Sequence, residues 1–281
     1  MIADAFPAMG TTVAVSAACA DDIEATRRWF EHAERVCSRF DPDSELTRLN
    51  ADPRIELPLP ALLAPVFHAA DRVRLLTDGL VDIGLGGEVI RWGYDRTFAQ
   101  VKDLDRTPVA RFQGSWGLDQ GRLRRTPGVR FDLGGVAKGW AADQAIERGL
   151  AEIVSAGGDI ASRHPECEVL VEGPDGDTVA TVQLGVGALA TSTTSRRRWK
   201  VGGEPAHHLI DPRTASPANS PVISATAVAR TAVLAEAAAK AMLLRGADGL
   251  AWASARGWID GGLVVWHDGS VYATTGLEIA A

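Results

Sequence analysis

The chain has 281 residues, of which 46% are hydrophobic and 23% charged, with a formal net charge of -7 and a pI of about 5.4. Such a length supports one large domain or two modest ones with ample core. The acidic balance argues against a nucleic-acid-binding surface, because neutralising phosphates needs a basic face. Three scattered cysteines, Cys19, Cys37 and Cys167, match no zinc spacing and no disulfide framework, which favours a reducing compartment. No segment reaches the roughly 20 apolar residues of a membrane span. The first residues lack a basic n-region and a lipobox cysteine, so the expected location is the cytoplasm.

Residues 8–17 read as an opening strand that starts at Met9-Gly10-Thr11. Ile23, Trp29, Phe30, Ala33, Val36 and Cys37 share one helical face, which predicts a helix over 21–40. Asp41-Pro42-Asp43 is turn chemistry, and Ser44 is placed to cap a short helix ending near Asn50. Read alone, that stretch is a polar surface turn. A second amphipathic helix is expected over 59–77, closed by Asp78-Gly79. From Val81 to Gly93 strand-like alternation gives way to Gly84, Gly86 and Gly87, which suggests a loop bent around something. Asp82 within it would be costly to bury without hydrogen bonds. Short strands are expected over 111–118 and 122–126.

The stretch Phe131-Asp132-Leu133-Gly134-Gly135-Val136-Ala137-Lys138-Gly139-Trp140 reads as a strand end, a glycine turn and a helix over 136–150. Gly134 and Gly135 admit backbone angles that a Cβ would forbid, and they allow close approach to a ligand. Helix N–H groups pointing out of such a turn suit a phosphate. Lys138 puts a cation in the first turn, where a helix alone prefers an anion. A bound phosphate accounts for it, and so, equally, does a solvated lysine at an ordinary connection. The glycine spacing is neither a dinucleotide fingerprint nor a P-loop.

A strand over 153–156 runs into Gly157-Gly158-Asp159, and a hairpin of 168–172 with 178–184 turns at Gly173 to Gly176. Ala190-Thr191-Ser192 leads into Thr193, Thr194, Ser195 and Arg196-Arg197-Arg198. Hydroxyls and guanidinium groups together can hold a phosphate or a flavin edge, although a solvated basic loop has the same composition. His207-His208-Leu209-Ile210-Asp211-Pro212 offers a general base near neutral pH, or simply a surface pair of histidines. A strand over 222–229 and an alanine-rich helix over 231–245 follow, then a hairpin at Asp268-Gly269. Glu236 and Lys240 lie four apart on that helix, the spacing of an ordinary ion pair.

Taken in order, Met9-Gly10-Thr11, Ser38 to Asn50, the Asp82 loop, Asp132 to Asp143, Ala156 to Ile160, Ala190-Thr191-Ser192 and His208 to Pro212 make the chain resemble the ApbE family of FAD:protein FMN transferases over nearly its whole length. The resemblance implies an α+β fold: a single compact domain of residues 1–281, with a mixed β-sheet flanked by helices. It implies a flavoprotein that binds FAD and places FMN, through a phosphoester, on a threonine or serine of an acceptor protein, releasing AMP. A non-catalytic FAD-binding protein and an FAD pyrophosphatase giving FMN and AMP are the competing readings.

Carried over by position, Met9, Phe40, Leu80, Val81, Asp82, Asp132, Lys138, Ser192 and Ile210 would contact FAD. His208 would be the base for the incoming hydroxyl. The carbonyl of Gly135 and the carboxylate of Glu236 would be ligands of a magnesium ion. Lys240 stands where the family has a threonine ligand, and an ammonium has no lone pair for a metal. Lys240 is therefore expected to face Glu236 or the FAD phosphates, not solvent. Phe40 stands where tyrosine is frequent, and Thr193 where glycine is usual.

Overall fold

The structure is a computed structural model and describes residues 1–106, 108, 114–275 and 279–280. Its α-helices are α1 (Ala20–Cys37), α2 (Glu45–Ala51), α3 (Ala64–Leu76), α4 (Gly86–Arg91), α5 (Ala137–Glu147), α6 (Ala232–Arg245) and α7 (Gly249–Ala255). The chain forms two interleaved compact units. One comprises Met1–Glu31, Lys138–Ser195 and Asn219–Ala281, and the other His32–Ala137 and Arg196–Ala218.

In the first unit the strands Ile2–Ala8, Thr11–Ala17, Ile153–Ala156, Asp159–Ser162, Gly187–Thr193, Val222–Ala229, Gly261–Trp266 and Val271–Ala273 lie side by side in that order. Each is antiparallel to the next. The α+β class is the expected one, with an antiparallel sheet in place of a mixed one. The opening differs more. A strand precedes Met9-Gly10, and these two residues form its turn with φ of 53° and 69°. Two left-handed residues suit the twist of a two-residue hairpin, at some steric cost for a methionine. The strand Ile2–Ala8 lacks a clear apolar alternation because it is the sheet's edge, where Pro7 is also tolerated.

Leu189, Leu263 and Val265 lie under the hairpin of Glu168–Glu172 and Thr178–Gln183, which contributes Val169, Val171, Ala180 and Val182. Alternation sends Ala188, Ala190 and Ser192 to the other face. There α6 packs on Gly187–Thr193 and Val222–Ala229. Every residue of α6 from Ala232 to Leu244 is buried except Lys240. A helix apolar all round belongs inside, and alanine lets it come close to the sheet. The Thr231 hydroxyl caps α6 by accepting from the Leu234 N–H. Asp143 of α5 reaches the same end and accepts from the N–H groups of Ala232 and Val233, at 2.6 and 3.0 Å. Gly139 lies against this backbone: a Cβ there would stand 2.9 Å from the Ala232 carbonyl carbon. The close crossing of α5 on α6 therefore requires glycine.

In the second unit Glu56–Pro58, Arg122–Arg125 and Trp116–Asp119 form a small antiparallel sheet beside α3. The helix expected from residue 59 begins at Ala64, after a turn at Pro60. Part of the strand expected over 111–118, namely 111–113, lies outside the described residues. The glycine-rich stretch after Asp82 is not a simple loop, because α4 starts at Gly86. Gly86 presses on the backbone of Arg130 and Phe131, where a Cβ would stand 2.8 Å away. Val89, Tyr94, Trp199, Val201, Ala206 and Ile210 make a separate aromatic-rich core.

The Gly139 contact yields a prediction. Gly139→Ala forces backbone apart, and overpacking outweighs the gain in helix propensity, so stability should fall by about 1–2 kcal/mol in urea unfolding. A neutral or stabilising substitution would show slack between α5 and α6.

Candidate active site

Lys138 sits in the first turn of α5, yet its partners are carboxylates. Its Nζ donates to Asp159 Oδ2 at 2.5 Å and to Glu236 Oε1 at 3.1 Å. The phosphate that the sequence suggested is thus not needed to account for a lysine at this helix end. Burial alone would lower the Lys138 pKa, but the charges of Asp159 and Glu236 outweigh it and hold the ammonium above the ordinary lysine value. Burial, and then the like charge of Glu236, push Asp159 up to about 6 against the pull of Lys138. One ammonium shared by two carboxylates leaves the trio a positive charge short. Lys240 supplies it from one turn along α6. Its Nζ lies 3.7 Å from Glu236 Oε1, and its side chain is only 16% exposed. The expectation that Lys240 faces Glu236 and not solvent is met.

Sequence reasoning notes Asp159 after its glycine pair but gives it no role. The available signal was an acid opening a short strand directly after Gly157-Gly158. Ser192 is buried in this same unit, on the sheet face that α6 covers. Met9 is half-buried in the hairpin turn.

In the second unit Asp132 has both oxygens occupied. Oδ1 accepts the Gly134 N–H at 2.7 Å and Oδ2 accepts Arg39 Nε at 2.8 Å. Neither Gly134 nor Gly135 takes a left-handed φ. Glycine at 134 answers to proximity instead, since a Cβ would stand 3.0 Å from Asp132 Oδ1. The Arg39 guanidinium is buried over two rings, 4.1 Å from the centroid of Phe40 and 4.7 Å from that of Tyr94. Asn50 bonds Phe131 twice, its amide donating to the carbonyl at 2.9 Å and its oxygen accepting the N–H at 2.7 Å. The Ser38 to Asn50 stretch is therefore a clamp on the central motif and not merely a surface turn. Phe40 keeps an exposed face, with its ring 5.7 Å from Tyr94.

Asp82 Oδ1 accepts from the Gly84 N–H and from Trp116 Nε1, both at 2.7 Å, which is how its partial burial is accommodated. The Leu80 and Val81 side chains are buried, leaving their backbone as the part able to meet a ligand. Ile210 belongs to the aromatic core. The adjacent histidines differ. His207 is buried, its Nε2 lies 3.0 Å from the Ala218 carbonyl, and its Nδ1 accepts the Leu209 N–H. Those partners fix a neutral imidazole with the proton on Nε2. His208 is half-buried just beyond the strand Glu204–His207.

The magnesium implied for Gly135 and Glu236 meets an unsuitable donor set. Magnesium takes about six oxygens in octahedral array. Among the described residues no group of three His, Cys, Asp or Glu is placed to hold a metal. Glu236 Oε1 already faces two ammonium groups, and only its buried Oε2 has no hydrogen-bond partner among the described residues. One such oxygen, flanked by two cations, does not make a divalent-metal site.

A model of the ApbE family matches residues 9–260, and the chain belongs to that family. Among curated proteins it is similar to the FAD:protein FMN transferase of Haemophilus influenzae, 26% identical over 266 aligned positions that cover 85% of this chain and 76% of the relative. Among solved structures it is similar to the ApbE protein of Thermotoga maritima, with 25% identity, a TM-score of 0.84 and coverage of 98% of this chain and 97% of that one. The flavin transferase ApbE from Vibrio cholerae shares the fold, at 24% identity, a TM-score of 0.79 and the same coverage.

The His207 environment predicts a pH effect. Burial lowers its pKa, and the Ala218 carbonyl only partly opposes this. Below about pH 6.5 the unfolded chain takes up a proton that the folded chain resists, so this histidine's contribution to stability falls on acidification. In urea unfolding, the deficit of His207→Asn relative to the parent should shrink between about pH 7.5 and pH 5. A deficit independent of pH would contradict the neutral, buried imidazole.

Proposed function

We propose that this chain, acting as one ApbE-like domain over residues 1–281, transfers FMN from FAD to a threonine or serine hydroxyl of a partner protein. The observation that carries the reading is the family match over residues 9–260, which spans both compact units. In the reaction the acceptor oxygen attacks the FMN-side phosphorus. The bond from that phosphorus to the bridging oxygen breaks, and AMP leaves with the electron pair. The hydroxyl proton needs an acceptor, and the charge on the phosphate oxygens needs nearby cations.

His208 is the residue assigned to the proton. His207 beside it is unsuited, with both ring nitrogens engaged in backbone contacts. Lys138 is the lysine assigned to FAD, and it and Lys240 are paired with Asp159 and Glu236 in the first unit. Of the other positions assigned to FAD, Phe40 offers an exposed ring backed by Tyr94, suited to stacking on a flavin. Leu80 and Val81 can contribute backbone groups. Asp82 and Asp132 shape the turns at Gly84 and Gly134, and Met9, Ser192 and Ile210 complete the assigned set. The magnesium assigned to Gly135 and Glu236 enters no step, given the donors present. Three unpaired cysteines, Cys19, Cys37 and Cys167, support a cytoplasmic setting, and no described helix is long and apolar enough to cross a membrane.

The test is intact-mass analysis of a candidate acceptor protein after incubation with enzyme and FAD. One FMN per acceptor should appear with one AMP in solution. His208→Ala should still bind FAD and lose transfer by about 10²–10⁴-fold. FMN and AMP released without acceptor modification would mark a pyrophosphatase, and FAD bound without AMP a binding protein. A His208→Ala variant with parental transfer would remove the base assignment.

A further inference from the structure

We propose that Lys240 completes a self-neutralised cluster with Lys138, Asp159 and Glu236 that keeps a divalent cation off Glu236, so that FAD binds to this protein without one. The inference rests on the reading of FAD as donor and adds to it that no divalent cation accompanies FAD.

Asp159 and Glu236 bring two negative charges into a buried place, and Lys138 answers one of them. Without Lys240 the group would be one positive charge short, the condition in which a buried carboxylate recruits a cation. Lys240 closes that gap from the same face of α6, four residues after Glu236. It is the one residue between Ala232 and Leu244 that is not buried in the helix packing, and its side chain still turns inward, 16% exposed. A lysine with open water available gives up rotamer freedom for such a position, and the carboxylate is what compensates it.

Geometry then excludes the metal. Both ammonium groups converge on Glu236 Oε1, at 3.1 and 3.7 Å. A divalent ion on the same carboxylate would lie within a few ångströms of two like charges at low dielectric. Neither lysine can serve as its ligand, because a protonated amine offers no lone pair. Glu236 Oε2, buried and without a hydrogen-bond partner among the described residues, is the one oxygen of this carboxylate left to a metal.

The experiment is calorimetric titration of the whole protein with FAD, in chelator and in excess magnesium, beside AMP release under both conditions. The parent should bind FAD equally, within about twofold, in the two buffers. Lys240→Thr should bind about tenfold more weakly in chelator and recover when magnesium is added, because it restores both the charge gap and an oxygen ligand. Lys240→Arg should keep metal-independent binding. A parent whose affinity collapses in chelator and returns with magnesium would overturn the inference. So would Lys240→Thr matching the parent in both buffers, or a parent that binds no FAD in either. The parent's own response decides the matter even if a variant fails to fold. FAD that binds and releases AMP without metal, yet never modifies an acceptor, would leave this inference standing and reject the transferase reading.

Discussion

An ammonium removed from water is unfavourable by several kcal/mol unless carboxylates and good geometry meet it. Lys138 is met by Asp159 and Glu236, and much of the first unit serves that meeting. Asp159 comes from the strand after the Gly157-Gly158 turn, and Glu236 from the second turn of a helix that is otherwise apolar but for Lys240 and the terminal Arg245. Lys138 comes from α5, which approaches α6 closely because residue 139 has no side chain. Asp143, one turn further along α5, caps the α6 N-terminus and fixes the register of the two helices. Burial raises its pKa to about 6 although both backbone N–H groups oppose this.

The second unit uses the same device on a smaller scale. Arg39 is buried, bonded to Asp132 and laid over Phe40 and Tyr94. The turn at Gly134 thereby has its carboxylate anchored at one oxygen and its N–H bonded to the other. Asn50 ties Phe131 to the end of α2. A ring that keeps an exposed face, as Phe40 does, is useful to a planar ligand only if its own rotamer is fixed, and the guanidinium with Tyr94 fixes it.

Local chemistry made several elements legible in the sequence. The strand Val222–Ala229, the Ser44 cap, the alanine-rich helix and the hairpin at Asp268-Gly269 all stand where pattern and turn residues place them. The family resemblance carried the α+β class. What stayed hidden is non-local. Nothing near residue 138 signals a carboxylate 98 positions away, so the lysine invited a phosphate. Arg39 and Asp132 are 93 positions apart, and neither is unusual in its own segment. The strand Ile2–Ala8 has an edge-strand composition without alternation, and α4 begins on glycines that ordinarily break helices. Two of the four cuts between the units fall inside α1 and just after the first residue of α5, where composition does not change.

The buried pairing of Lys138 with Glu236 is most directly tested by a double-mutant cycle on folding stability with Lys138→Met and Glu236→Gln. If the two groups satisfy each other as described, each single change strands a buried partner. The double variant should then be less destabilised than the sum of the singles, with a coupling on the order of 1–3 kcal/mol. Effects that add to within about 0.5 kcal/mol would mean that the two side chains do not share a buried charge balance.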